Sequence, residues 1–152
     1  MKSRDYEEFV ESLNQSGVRY LIVGAHAVAF HARPRATKDF DLLIDPTGEN
    51  AERVLRAIRQ FLGTDLGLTR EDLSTPGRVV QLGVAPSRID LMAQISGIED
   101  FQRAWERRVD AVFSDVPAHY LCLEDLIQAK ASAGRDQDKA DLRVLKRVRR
   151  RT

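Results

Sequence analysis

A chain of 152 residues that is 43% hydrophobic and 31% charged, with a formal net charge of +1, has the composition of one soluble globular domain with room for a sizeable core. No apolar run approaches the roughly 18 residues needed to span a bilayer, and the balanced charge excludes a polycation. The single cysteine excludes an internal disulfide, and no Cys/His spacing suits zinc.

In chain order, the first eight residues lack the apolar stretch of a signal peptide, so a cytoplasmic location is the default expectation. Tyr6, Phe9, Val10 and Leu13 mark an amphipathic helix over 5–14, stopped at Ser16-Gly17. Tyr20–Val23 reads as a short buried strand ended by Gly24, and Ala25–Ala32 as a helix broken before Pro34. A strand over Asp39–Ile44 and a turn over Asp45–Gly48 lead into a helix over Glu49–Leu62, with Ala51, Val54, Leu55, Ile58 and Leu62 on one face. Residues 66–78 read as a loop with one helical turn at Arg70–Leu73. Val79–Val84 and Arg88–Ile95 form a hairpin around Ala85-Pro-Ser87. A helix over Ile98–Arg108, a second hairpin of Val109–Phe113 and Val116–Leu121, and two helices, Leu123–Ala133 and Asp136–Arg149, complete the chain. This order predicts an α/β (α+β) fold with a mixed central sheet flanked by helices. The expected organisation is one domain over 1–152, with a core at 1–121 and a C-terminal helix pair at 122–152. Cys122, within apolar Tyr120-Leu-Cys-Leu123, reads as an inert core thiol. The basic stretch Arg143–Thr152 has two readings: a solvated helix end favoured by the macrodipole, or a phosphate-contacting tail for nucleic acid.

The chemistry concentrates around Asp39 and Asp41. On a strand, side chains alternate faces, so both carboxylates leave one face while Phe40, Leu42 and Ile44 leave the other. Like charges that close raise one another's pKa unless a cation sits between them, and Mg²⁺ (or Mn²⁺) is the usual cation. Asp90 is a third carboxylate in an otherwise apolar strand. It meets the first two from a neighbouring strand, or it pairs with Arg88 two residues away on the same face. Val23-Gly24-Ala25-His26 turns a strand into a helix through glycine, which lets backbone amides approach a phosphate, or serves only as a turn. Arg33, Arg35, Thr37 and Lys38 bring cations and a hydroxyl to the same place, as a polyphosphate requires. His26 and His31 read as helix-surface or core histidines.

The stretch Tyr20–Ile44 resembles the active-site motif of the DNA polymerase β-type nucleotidyltransferase superfamily: a strand, a glycine turn, a short helix, then Asp-X-Asp on the next strand. The Arg35–Asp41 run, the Arg88-Ile-Asp-Leu91 strand, and Lys130, Gly134-Arg135, Asp138 and Asp141-Leu142 are similar to small prokaryotic nucleotidyltransferases related to abortive-infection (AbiEii-like) toxin enzymes. The resemblance implies a nucleotidyltransferase fold. It implies Asp39, Asp41 and Asp90 as catalytic metal ligands, Gly24 and Ala25 amides on the phosphates, and Arg35, Thr37, Lys38 and Lys130 assisting. Arg135 and Asp138 belong either to that site or to a structural pair bracing the last helices. Two departures stand out: Ala25 where the family usually has Gly or Ser, and Ala32 where relatives often carry Gly.

The expected function is metal-dependent transfer of NMP from an NTP to a hydroxyl acceptor: an RNA 3′ end, a protein or a small molecule. The small size leaves room for a partner subunit or a homodimer to supply acceptor binding. The alternative is a catalytically weak or inactive nucleotidyltransferase-fold protein with a regulatory, antitoxin-like role.

Overall fold

A computed structural model describes residues 3–34, 39–84 and 87–151. Arg35, Thr37 and Lys38, three of the expected phosphate ligands, lie outside the described residues. The chain runs α1 (Ser3–Gln15), β1 (Tyr20–Val23), α2 (Gly24–His31), β2 (Asp39–Ile44), α3 (Gly48–Leu62), α4 (Arg70–Ser74), β3 (Val79–Val84), β4 (Ser87–Met92), α5 (Phe101–Glu106), β5 (Val109–Phe113), β6 (Val116–Tyr120), α6 (Leu123–Ala133) and α7 (Asp136–Arg151). Six strands form one mixed sheet in the order β3-β4-β2-β1-β6-β5. β2 runs antiparallel to β1 but parallel to β4, and β1 runs parallel to β6.

Both faces of the sheet are covered, so the central strands are apolar on both sides. On one face Tyr20, Ile22, Phe40, Leu42, Ile44, Ile89 and Leu91 pack against the stripes of α1 (Phe9, Val10, Leu13) and α3 (Ala51, Val54, Leu55, Ile58). On the other, Leu21, Val23 and Leu43 pack against Ala27 and Val28 of α2, Phe101 of α5, Leu126 and Ile127 of α6, and Leu145 of α7. That second cover stops short of the first half of β2, and there the odd-numbered side chains of the strand are Asp39 and Asp41.

Local signals set the helix ends. Thr47 caps α3, accepting the Asn50 N–H at 3.3 Å, and Gly63 closes it with φ 79°. Buried Asn50 ties β1 to the end of β2, accepting from the Arg19 N–H at 2.9 Å and donating to the Arg19 and Asp45 carbonyls at 3.1 and 2.9 Å.

Most boundaries shift by one or two residues from the sequence expectation, and those of β4 and α5 shift by three. β4 ends at Met92, opposite the first residue of β3, instead of continuing to Ile95. Ile95 instead bridges Ile98 across a turn at Ser96-Gly97. That turn presses on α6: a Cβ on Gly97 would meet the Gln128 carbonyl at 2.7 Å, and φ there is 84°. The helix expected from Ile98 begins at Phe101, because Asp100 caps it by accepting the Gln102 and Arg103 N–H groups. The last helix runs on to Arg151. Among the described residues, no helix is long and apolar enough to cross a membrane.

Candidate active site

Parallel pairing of β2 with β4 assembles the carboxylates. The register sets Asp39 beside Arg88 and Asp41 beside Asp90, so four alternating charged side chains emerge from one face of two neighbouring strands. Phe40, Leu42 and Ile44 are fully buried on the opposite face, as the period-two reading required.

Asp41 and Asp90 are close enough to share a hydrogen bond. Burial, followed by the Asp90 and Asp39 charges, pushes Asp41 up to about 6, with Lys130 pulling weakly the other way. Arg88 answers the other two carboxylates. Its Nε donates to Asp90 Oδ1 at 2.9 Å, and its Nη2 lies 3.2 Å from Asp90 Oδ2 and 3.4 Å from Asp39 Oδ2. Asp90 therefore pairs with Arg88, as one reading of it expected, and lies beside Asp41 on the neighbouring strand.

Gly24 has φ 65° where β1 turns into α2, and a Cβ there would collide with Asp41 Oδ2. The glycine admits the carboxylate as well as the turn. Val23 offers α2 no side-chain cap at this turn. A cavity of about 440 Å³ lies there, walled by Gly24, Asp41, Met92, Gln94, Ser96, Lys130 and Arg135.

Lys130 comes from α6. Its Nζ lies 3.1 Å from Asp138 Oδ1 and 3.0 Å from Asp141 Oδ2, all three residues being buried. Arg135 closes on Asp138 from the solvent side at 2.6 Å, and these partners hold the Asp138 carboxyl down at about 2. Arg135 and Asp138 thus form a pair bracing the α6–α7 junction while also lining the cavity.

The remaining side chains fall into place as packing. His26 sets its ring edge against Phe40 and Tyr6, and His31 Nε2 contacts the Leu121 carbonyl oxygen at 2.7 Å, with burial lowering its pKa. Cys122 is half-buried and caps α6, its sulfur accepting the Asp125 N–H at 3.4 Å, and burial raises the thiol's pKa. Tyr6, read from the sequence only as a core position, stacks on Phe40 with centroids 5.0 Å apart. Its hydroxyl donates to the Arg88 carbonyl at 3.5 Å, beneath the carboxylates. No local signal marks it, since its role depends on the packing of α1 under β2 and β4.

Asp41 and Asp90 lie side by side with Asp39 one pleat away, all hard oxygen donors of the kind a divalent cation takes, and the upward push on Asp41 is the cost such a cation would remove. As the side chains stand, Arg88 supplies compensating charge to Asp39 and Asp90. Among the described residues no three His, Cys, Asp or Glu side chains converge to hold a metal ion.

Comparison with known proteins agrees with this architecture. The structure of the lincosamide antibiotic adenylyltransferase LnuA with lincomycin bound matches with a TM-score of 0.62 at 14% identity, over 97% of this chain and 98% of that one. A Thermotoga maritima protein assigned as a nucleotidyltransferase, TM1012, matches with a TM-score of 0.57 at 17% identity, over 94% and 93%. At such identities the likeness establishes the fold. No curated protein sequence matches the chain. A family model, "nucleotidyl transferase of unknown function" (DUF2204), covers residues 2–152, and the chain belongs to that family.

Proposed function

We propose that the protein transfers a nucleoside monophosphate from an NTP to a hydroxyl acceptor, assisted by Mg²⁺ or Mn²⁺. The observation that carries this reading is the pairing of Asp41 with Asp90 across parallel strands, one pleat from Asp39 and at the mouth of a cavity. Asp39, Asp41 and Asp90 would hold the metal, which supplies charge neutralisation at the triphosphate and lowers the pKa of the acceptor hydroxyl. Gly24 and Ala25 present backbone amides to phosphate oxygens, so the missing side-chain hydroxyl at position 25 removes one contact and leaves the amides. Arg35, Thr37 and Lys38 precede β2 in sequence and would add charge-assisted contacts. Lys130 is held by two aspartates, so its role is to set the potential of the cavity rather than to reach out to a phosphate.

The acceptor we favour is an RNA 3′ end. Lys139, Arg143, Arg147 and Arg150 are exposed at helical spacing along one face of α7, and none of the four has an ion-pair partner among the described residues. That helix starts beside Arg135 and Asp138 in the cavity wall, so the cations lead away from the carboxylates as a track suited to a polyanion. LnuA is an adenylyltransferase for a lincosamide antibiotic, which makes a small-molecule acceptor the competing class. A relation to abortive-infection toxins rests on the sequence motifs. A non-catalytic, antitoxin-like role draws support from Arg88, which already answers two of the three carboxylates.

Incubation with each labelled NTP, Mg²⁺ or Mn²⁺, and either RNA or a protein and small-molecule extract separates these. Label transfer to RNA that disappears in Asp39→Asn/Asp41→Asn supports the enzyme and its acceptor. Transfer only to another fraction moves the acceptor class. Absence of NTP and metal binding at millimolar concentration leaves the non-catalytic reading.

A further inference from the structure

The position of Arg88 is not used by the proposed reaction. β4 turns Ile89 and Leu91 into the core and Arg88 and Asp90 onto the site face, where the guanidinium folds back along its own strand and across to β2. Its fork engages both oxygens of Asp90 and one of Asp39, joining the carboxylates of two strands through one cation. The Arg88 side chain is 28% exposed and that of Asp90 only 11%, so the pair is more than a screened surface contact. The oxygens it occupies are those a divalent ion would need. Two cations cannot share them without strong mutual repulsion.

We propose that Arg88 is a built-in stand-in for the metal ion: it holds Asp39 and Asp90 in the metal-free protein and is displaced from them when a divalent cation binds. Metal binding and Arg88 release are then one competitive event, and the side chain is a positioning residue for the carboxylates. This rests on the reading of Asp39, Asp41 and Asp90 as metal ligands.

The test is Mn²⁺ titration of the nucleotide-free protein by calorimetry, comparing wild type with Arg88→Gln, Arg88→Lys and Asp41→Asn. Removing the competing charge in Arg88→Gln tightens Mn²⁺ binding by roughly tenfold or more, Arg88→Lys falls between, and Asp41→Asn binds more weakly. A purely structural arginine gives the opposite sign, because its loss disorders the ligands. Mn²⁺ binding to Arg88→Gln that is equal to or weaker than wild type overturns the stand-in and leaves the metal site standing. No Mn²⁺ binding by wild type or Arg88→Gln at millimolar concentration overturns the metal site and the stand-in together. Should Arg88→Gln fail to fold, the wild type decides. The Arg88 Nε–H, hydrogen-bonded to Asp90, exchanges slowly with solvent in NMR spectra without metal and faster at saturating Mg²⁺. Protection that persists at saturation overturns the proposal.

Discussion

At the junction of α6 and α7, Lys130 and Arg135 face Asp138 and Asp141; on β2 and β4, Arg88 spans Asp39 and Asp90 while Asp41 sits beside Asp90. The same residue types produce opposite electrostatics. In the first cluster Asp138 is held down at about 2 by its cationic partners; in the second Asp41 is driven up to about 6 by burial and like charge. A charge-balanced cluster of this kind stabilises a junction between helices. Crowded carboxylates such as Asp41 and Asp90 oppose one another's ionisation and so cost the fold stability at neutral pH. Both border one cavity, so the fold sets a cluster held down by its cations beside one pushed up by crowding.

Substitutions can break that contrast. The largest effect belongs to Lys130→Met, which leaves Asp138 and Asp141 buried without their shared cation. Urea denaturation should report a loss of about 3 to 5 kcal/mol. Gly24→Ala follows, at roughly 2 kcal/mol, because it forces an L-residue to positive φ and drives a methyl group into Asp41. Nucleotide transfer should fall with it even where thermal melting shows the variant still folded.

A pH titration sharpens the balanced side. The Asp138 carboxyl is depressed in the folded protein, so its contribution is present above the unfolded value near 3.8 and is lost as pH falls towards 2. Acid unfolding followed by circular dichroism should lose about 2 kcal/mol across that window, and Asp138→Asn should remove most of this dependence. The smallest effect, and the one of opposite sign, is Asp41→Asn measured in EDTA. A carboxyl raised in the folded state weakens the fold as pH rises through its folded value. At neutral pH the amide should therefore be more stable by roughly 1 to 2 kcal/mol, the cost of burying the amide offsetting part of the relieved charge, while nucleotide transfer is lost. A lower melting point in that variant would place Asp41 with the structural aspartates and erase the distinction.

The element order and most boundaries were legible in the sequence because each rests on local periodicity or a cap, as with the α3 stripe ended at Gly63. Misplaced boundaries arose where a long-range contact intervened. Ala93 to Ile95 carry a strand-like alternation, but the chain leaves the sheet to pass under α6, where only glycine at 97 fits. Asp100 was a readable cap for α5 that the apolar Ile98 obscured. The placement of Asp39 and Asp41 on one face, and of Gly24 at the strand-to-helix turn, was legible through spacing and residue type. The occupation of Lys130 by two aspartates was not, since Asp138 and Asp141 reach it only once α6 and α7 pack together.

By itself the sequence determined that Asp39 and Asp41 share a face and that Phe40 does not, because strand geometry alternates side chains whatever lies alongside. It also placed Asp90 on the same face as Arg88. Tertiary structure alone decided that β2 and β4 pair in parallel with Asp41 beside Asp90, so that Arg88 spans two strands and Asp41 bears the crowding. Pairing register between distant strands depends on how both sheet faces are buried, and no local periodicity encodes it.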